Sequence, residues 1–250
     1  NTYTLAKQFL IEDVDSNNAV DVITLFSEPG NNDFKVVWYD NKIVTNTISG
    51  QVLYEANGNC DANALVVPNQ MVSTISTLDG VSSFTNVNGF YENKVYEGDF
   101  TTQLEGLAPY FDYSPLTYAS NYDTVNNLDV FNFCIEANTV VNDLNIAVYP
   151  SIDDPRPGFI TTYELVYSNV GTTAQSGTVT FEFDDSKLQF ASASETATTI
   201  TSNTLTFDFI DLNPFETRTI ALEFIVFAPP TTNIDDVLIS TAAVNPIAGD

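Results

Sequence analysis

A chain of 250 residues, 44% of them hydrophobic, can bury two or three small cores, so disorder is not the expected state. Its 33 acidic residues against 7 Lys and Arg give a net charge of −26, which repels nucleic-acid phosphates and anionic lipid alike, and neither partner is expected. Histidine is absent altogether, which excludes the common Ser–His and Cys–His nucleophilic pairs and histidine general bases, so a non-enzymatic role is expected.

The longest apolar runs, such as 224–228, fall far short of the roughly 20 residues that span a bilayer, so no membrane insertion is expected. Position 1 is Asn and no basic or apolar leader follows, so the chain is expected to begin after processing or inside a longer protein. Carboxylates with so few cationic partners repel one another unless they spread over the surface or gather around a hard cation, which makes calcium the first partner to look for.

Three compositionally distinct segments follow one another: 1–46, 47–137 and 138–250. In the first, Asp13, Asp15, Asn17 and Asp21 occupy loop positions 1, 3, 5 and 9, with the Ala19 carbonyl at position 7, a spacing that suits calcium. Thr24 stands where an EF-hand carries Glu, and the flanks (Phe9 to Ile11, then Val20 to Leu25) are apolar and β-branched, so the loop is expected between strands. Together with Trp38-Tyr39, this loop resembles an FG-GAP or VCBS-type β-propeller blade; the resemblance covers about 35 residues and departs from the pattern at Asn18, where glycine is usual. It implies a partial blade or hairpin segment that binds calcium, with further blades upstream.

The second segment opens with Gly50-Gln51-Val52-Leu53-Tyr54 and continues through Asn57-Gly58-Asn59-Cys60-Asp61 to Thr85 and Gly89-Phe90-Tyr91. These residues resemble SdrD B-like, CNA-B-like and carboxypeptidase regulatory-like repeats, which implies a prealbumin-like β-sandwich that acts as a spacer. Glu55, Asn57, Asn59 and Asp61 alternate along the chain, and the resemblance makes them a second candidate calcium set; the alternative is a polar turn. Cys60 and Cys134 are too few for a zinc cluster. If the chain is exported, a disulfide between them is expected, against two separate buried thiols.

In the third segment, period-2 alternation is sustained: Leu144, Ile146, Val148; Tyr163, Leu165, Tyr167; Val179, Phe181, Phe183; Leu205, Phe207, Phe209; and Ile220 through Val226. Turn signals separate the runs, at Asn169-Val170-Gly171, Asp184-Asp185-Ser186 and Asn213-Pro214, and antiparallel sheets packed as a sandwich are predicted. The order of Pro155 to Phe159, Tyr163 to Gly171 and Leu212 to Ile220 resembles the Ig-like conserved-repeat domains of surface proteins exported by type IX secretion, with the last strand truncated. Asp123-Thr124-Val125 matches the short O-glycan attachment pattern of such bacteria, which makes Thr124 a candidate. Arg156 and Arg218 are expected to pair with nearby acids.

The fold class expected is therefore all-β: a blade or hairpin segment followed by two tandem β-sandwiches, prealbumin-like and Ig-like. The junction at 136–139 is short and polar, which implies adjacent domains at a restricted angle. These resemblances imply a structural or adhesive stalk of an extracellular, outer-surface protein, rigidified by calcium, whose partners are calcium, other segments of the same long protein, and glycans or surface proteins. The alternative is a carbohydrate-binding, lectin-like module with Trp38 and tyrosines as a stacking platform.

Overall fold

The protein is described here by a computed structural model, for residues 8–12, 21–27, 34–39, 45–77, 79–151 and 154–246. Among these residues every regular element is a strand, and no helix is long and apolar enough to cross a membrane. The first segment supplies β1 (Gln8–Glu12), β2 (Asp21–Ser27) and β3 (Phe34–Tyr39), which form a three-stranded antiparallel sheet. Its register sets Ile11 opposite Val22 and Leu10 opposite Ile23. The stretch 21–27 is thus strand, as its β-branched residues demand.

The second segment supplies β4 (Asn46–Tyr54), β5 (Leu65–Val66), β6 (Met71–Ile75), β7 (Gly80–Phe84), β8 (Phe90–Val95), β9 (Gly98–Glu105), β10 (Phe111–Ser114), β11 (Tyr118–Tyr122), β12 (Leu128–Val130) and β13 (Phe133–Ala137). β4 is the spine of one sheet. Its odd-numbered edge pairs in parallel with β12 and then β13, and its other edge takes β8 and β5. Where the chain crosses from β12 to β13, the Phe131 carbonyl lies where a Cβ on residue 50 would sit, 1.7 Å away, so only glycine fits at Gly50. The second sheet runs β11-β9-β6-β7. Between the two sheets lie Ile48, Val52, Val72, Phe133 and Ile135, with a polar seam in which Asn93 donates to the Val72 carbonyl at 3.2 Å and to Thr74 Oγ1 at 3.0 Å.

The third segment supplies β14 (Leu144–Pro150), β15 (Ile160–Asn169), β16 (Gln175–Phe183), β17 (Leu188–Ala193), β18 (Thr199–Ile200), β19 (Thr204–Leu212), β20 (Thr217–Val226) and β21 (Ser240–Asn245). Two four-stranded sheets, β14-β15-β20-β17 and β18-β19-β16-β21, face each other. The alternating residues of β15, β16, β19 and β20 point inward and are buried, while Leu144, Ile146 and Val148 pack at the margin. Phe224, fully buried, sits at the centre with Phe183 at 4.7 Å, Phe181 at 5.6 Å, Phe190 at 5.7 Å and Tyr163 at 5.9 Å between ring centroids. Removing a ring so enclosed leaves a cavity that its neighbours cannot fill. Phe224→Ala should therefore destabilise this sandwich by about 3–5 kcal/mol in urea unfolding, whereas the exposed Ile210→Ala should cost less than about 1 kcal/mol.

Candidate functional site at the junction of the sandwiches

The two cores meet through a knot of side chains around the turn that joins β19 to β20. Asn213-Pro214 starts the turn, and Phe215 follows with φ at +64°, in the left-handed region that costs a bulky residue energy. The conformation is held from three sides. Phe215 N–H donates to the Asn169 carbonyl at 2.9 Å, Glu216 N–H to the Asn213 carbonyl at 3.0 Å, and Asn169 N–H to the Glu216 carbonyl at 3.0 Å. Its consequence is that the Phe215 ring leaves its own sandwich and enters the other core, 4.8 Å from Phe111 and 5.4 Å from Tyr54.

Polar contacts flank this aromatic socket. The Tyr54 hydroxyl donates to the Thr172 carbonyl at 2.6 Å, and Tyr110 donates to the Val170 carbonyl at 3.0 Å. Burial raises the pKa of both phenols, with Asp143 adding to the effect at Tyr110, so both remain donors through neutral pH. The connecting residues are stitched to both sides: Asn138 donates from its backbone to the Tyr110 carbonyl and from Nδ2 to the Pro109 carbonyl, each at 3.1 Å. Further on, Val141 N–H donates to Thr172 Oγ1 and Thr172 N–H to the Val141 carbonyl, both at 2.8 Å. Gly171 lies so close beneath this connection that a Cβ there would come within 2.5 Å of the Val141 carbonyl.

Beneath the turn, Asn169 is fully buried and fully used: Nδ2 donates to the Thr173 and Leu212 carbonyls at 2.7 and 2.8 Å, and Oδ1 accepts from Gly171 N–H at 2.9 Å. Glu216 closes the outer side, accepting from Asn213 N–H at 2.9 Å and from Arg218 Nε at 2.6 Å. Arg218 also donates to the carbonyls of Ile210 and Asp211, so it clamps the end of β19 as well as pairing with an acid. Arg156 lies over the Phe159 ring, 4.9 Å from its centre.

The residues singled out by sequence are distributed elsewhere. Asp13, Asp15, Asn17 and Ala19 lie outside the described residues, and Asp21 is described only as the backbone partner of Glu12. The Trp38 side chain is likewise outside them, while Tyr54, Tyr91, Tyr122, Tyr163 and Tyr167 belong to the cores rather than to an exposed platform.

Glu55, Asn57 and Asp61 build a turn after β4: Glu55 Oε2 accepts from Asp61 N–H at 3.1 Å, Asn57 Oδ1 from Asn59 N–H at 3.0 Å, and Asp61 Oδ1 from Asn63 N–H at 2.8 Å. Each oxygen thus serves its own loop, and among the described residues no three acidic, histidine or cysteine side chains gather where a metal could sit. These bonds are those of a polar turn, the alternative to a calcium set that the sequence left open. Cys60 and Cys134 are joined as a disulfide, with Cα atoms 5.7 Å apart, tying that turn to β13. Thr124 is exposed on the bend between β11 and β12, its carbonyl accepting from Asn127 Nδ2 at 2.8 Å.

Phe215, Asn169, Thr172 and Tyr110 were not singled out as functional by sequence reasoning. The available signal was a large aromatic directly after Asn-Pro, where a turn ordinarily places a polar or small residue.

Comparison with known proteins gives structural likeness alone: no protein-family model and no curated protein matches the chain. Among solved structures it is similar to the major pilin SpaD of Corynebacterium diphtheriae (10% identity, TM-score 0.30), covering 80% of this chain and 66% of that one. It is also similar to the pilin SpaA of the same organism (10%, TM-score 0.27; 74% and 59% covered), so it spans less than two thirds of either pilin. A DUF3823 family protein from Parabacteroides merdae is similar at 12% identity and TM-score 0.29, with 83% and 92% covered.

The junction carries a pH signature. Burial raises the Glu216 pKa, but the Arg218 hydrogen bond and charge and the bonds from Asn213 outweigh it and hold the carboxyl below its ordinary value. A lowered folded pKa means stability that is complete above the unfolded value of about 4.3 and is lost as pH falls through the folded value. Wild type should therefore exceed Glu216→Gln by about 1 kcal/mol at pH 7 in urea unfolding, and the gap should close at pH 3.

Proposed function

We propose that this chain is a non-enzymatic structural or adhesive stalk segment of an extracellular, outer-surface protein, with its sandwiches held as one stiff unit. The observation that supports this reading is the junction: a strained turn seats Phe215 between Tyr54 and Phe111, and the connection at 138–143 is hydrogen-bonded to both sides. A strained apolar contact between domains is retained where a fixed angle matters, and a hinge would be built from the opposite materials. The all-β construction and the disulfide suit an oxidising exterior. The finer assignment belongs to the same proposal: a blade of FG-GAP type at 1–46, a CNA-B-like sandwich at 47–137 and an Ig-like sandwich at 138–250, from a type IX-secreted protein glycosylated at Thr124.

Small-angle scattering tests the stiffness. Wild type should fit a single arrangement of the sandwiches, and Phe215→Ala should broaden it into an ensemble with a larger mean dimension; a broad ensemble in wild type refutes the reading.

Calcium rests on the spacing of Asp13, Asp15, Asn17, Ala19 and Asp21. Binding at 100 times the dissociation constant stabilises the native state by about 2.7 kcal/mol. Calorimetry should accordingly show the transition of the N-terminal segment falling on addition of EDTA in wild type and lying at that lower position with or without EDTA in Asp13→Ala. Identical melting of wild type with and without EDTA removes calcium from the proposal.

A further inference from the structure

The outer face of the first sandwich carries a groove of about 500 Å³, lined by Phe84, Asn86, Phe90, Glu92, Val130 and Asn132 among others. Two features set it apart from an ordinary apolar patch. The first is a pair of aromatic rings on strands: Phe84, the last residue of β7, is 65% exposed, and Phe90, the first of β8, is 52% exposed, although most other aromatic rings of this sandwich lie in or against its core. The second is a pair of carboxamides fixed by their oxygens. Asn132 Oδ1 accepts from Gln51 N–H at 2.9 Å, and Asn86 Oδ1 accepts from Asn88 N–H at 2.9 Å and Phe90 N–H at 3.1 Å. Neither Nδ2 has a protein partner among the described residues, so each amide keeps a fixed NH2 donor at the groove. Glu92, the one charged residue of the lining, is paired with the neighbouring Lys94 at 3.1 Å.

We propose that this groove binds a neutral oligosaccharide. The C–H faces of a pyranose pack on aromatic rings, and its hydroxyls accept from donors already held in place, which spares the cost of ordering them on binding. Charge narrows the class further: at −26 the protein repels sulfated or uronate-rich chains, while a neutral glycan feels no such penalty. The inference rests on the adhesive side of the function proposed above and gives it a location. It is independent of calcium and of the junction, so its failure would leave the scattering test of stiffness untouched.

The experiment is isothermal titration of the full chain with cellohexaose, xylohexaose, mannohexaose and chitohexaose, and with alginate hexamer as the anionic arm. At least one neutral hexamer should bind, unaffected by EDTA, and alginate should not. Phe90→Ala and Asn132→Asp should each weaken binding about tenfold, equivalent to about 1.4 kcal/mol. Asn132→Asp keeps the oxygen that Gln51 needs while removing the donor, and Phe90 is a surface ring, so both variants should melt with wild type. Tyr149→Ala, at an exposed tyrosine of the other sandwich, should bind as wild type does. No binding of any neutral hexamer at millimolar concentration, equal binding of alginate, or unchanged affinity in both groove variants overturns the proposal.

Discussion

The architecture depends on one constraint: each long strand must bury every second side chain against a facing sheet, and the buried set must fill the space between sheets without gaps. In the second sandwich the condition is met almost entirely by hydrocarbon. Tyr163, Leu165 and Tyr167 on β15 and Ile220 through Val226 on β20 meet Val179 through Phe183 and Leu205 through Phe209. The first sandwich meets it differently, threading β4 between four partner strands so that a single nine-residue strand supplies Ile48, Val52 and Tyr54 to one core. Because Tyr54 lies at the end of that strand, its ring faces the core while its hydroxyl reaches out of the domain. The junction is built on that geometry.

At the junction the same packing rule operates across two domains. Phe215 fills a place in the first core that no residue of the first sandwich occupies, and it is delivered there by a turn whose left-handed residue is stabilised by the buried Asn169. The strain of that residue, of the order of 1–3 kcal/mol, is tolerable only while the ring remains seated, so backbone strain and domain docking support each other. A junction of this kind resists bending through apolar contact, and two direct hydrogen bonds, from Tyr54 and Tyr110 to the Thr172 and Val170 carbonyls, then fix the rotation about it.

Much of the fold was legible in the sequence because alternation is a local signal. The sets beginning at Tyr163, Val179, Leu205 and Ile220 are the second core almost residue for residue, and the β-branched run at 21–27 is strand. The first sandwich was harder to read, since Asn93, Thr74 and Thr102 occupy inward positions and break the apolar rhythm; their burial is made tolerable by bonds to one another and to the Val72 carbonyl, contacts between residues distant in sequence. The alternating oxygens of 55–61 are ambiguous for a related reason. Alternating oxygens in a tight loop serve a cation and the loop's own amides equally well, and sequence spacing does not distinguish the two. The Asn-Pro-Phe sequence marks Phe215 as unusual, but its seat against Tyr54 and Phe111, like the bond from Gln51 to Asn132, depends on which segments lie side by side.

The charge imbalance has a structural counterpart in how the few cations are used. Lys187 approaches Asp184 at 3.9 Å but donates to the Val237 carbonyl at 2.9 Å, holding the long loop between β20 and β21. Lys94 binds Thr47 Oγ1 across two strands as well as Glu92. Arg218 pairs with Glu216 and caps two carbonyls at the end of β19. A partly exposed ion pair contributes little on its own, whereas a cation that also satisfies a carbonyl at a strand end replaces a ladder bond the backbone cannot make there. Arg218 does this at the end of β19. The unpaired acids on the outward strand positions repel at a distance that salt screens, which is tolerable for cores as apolar as that of the second sandwich.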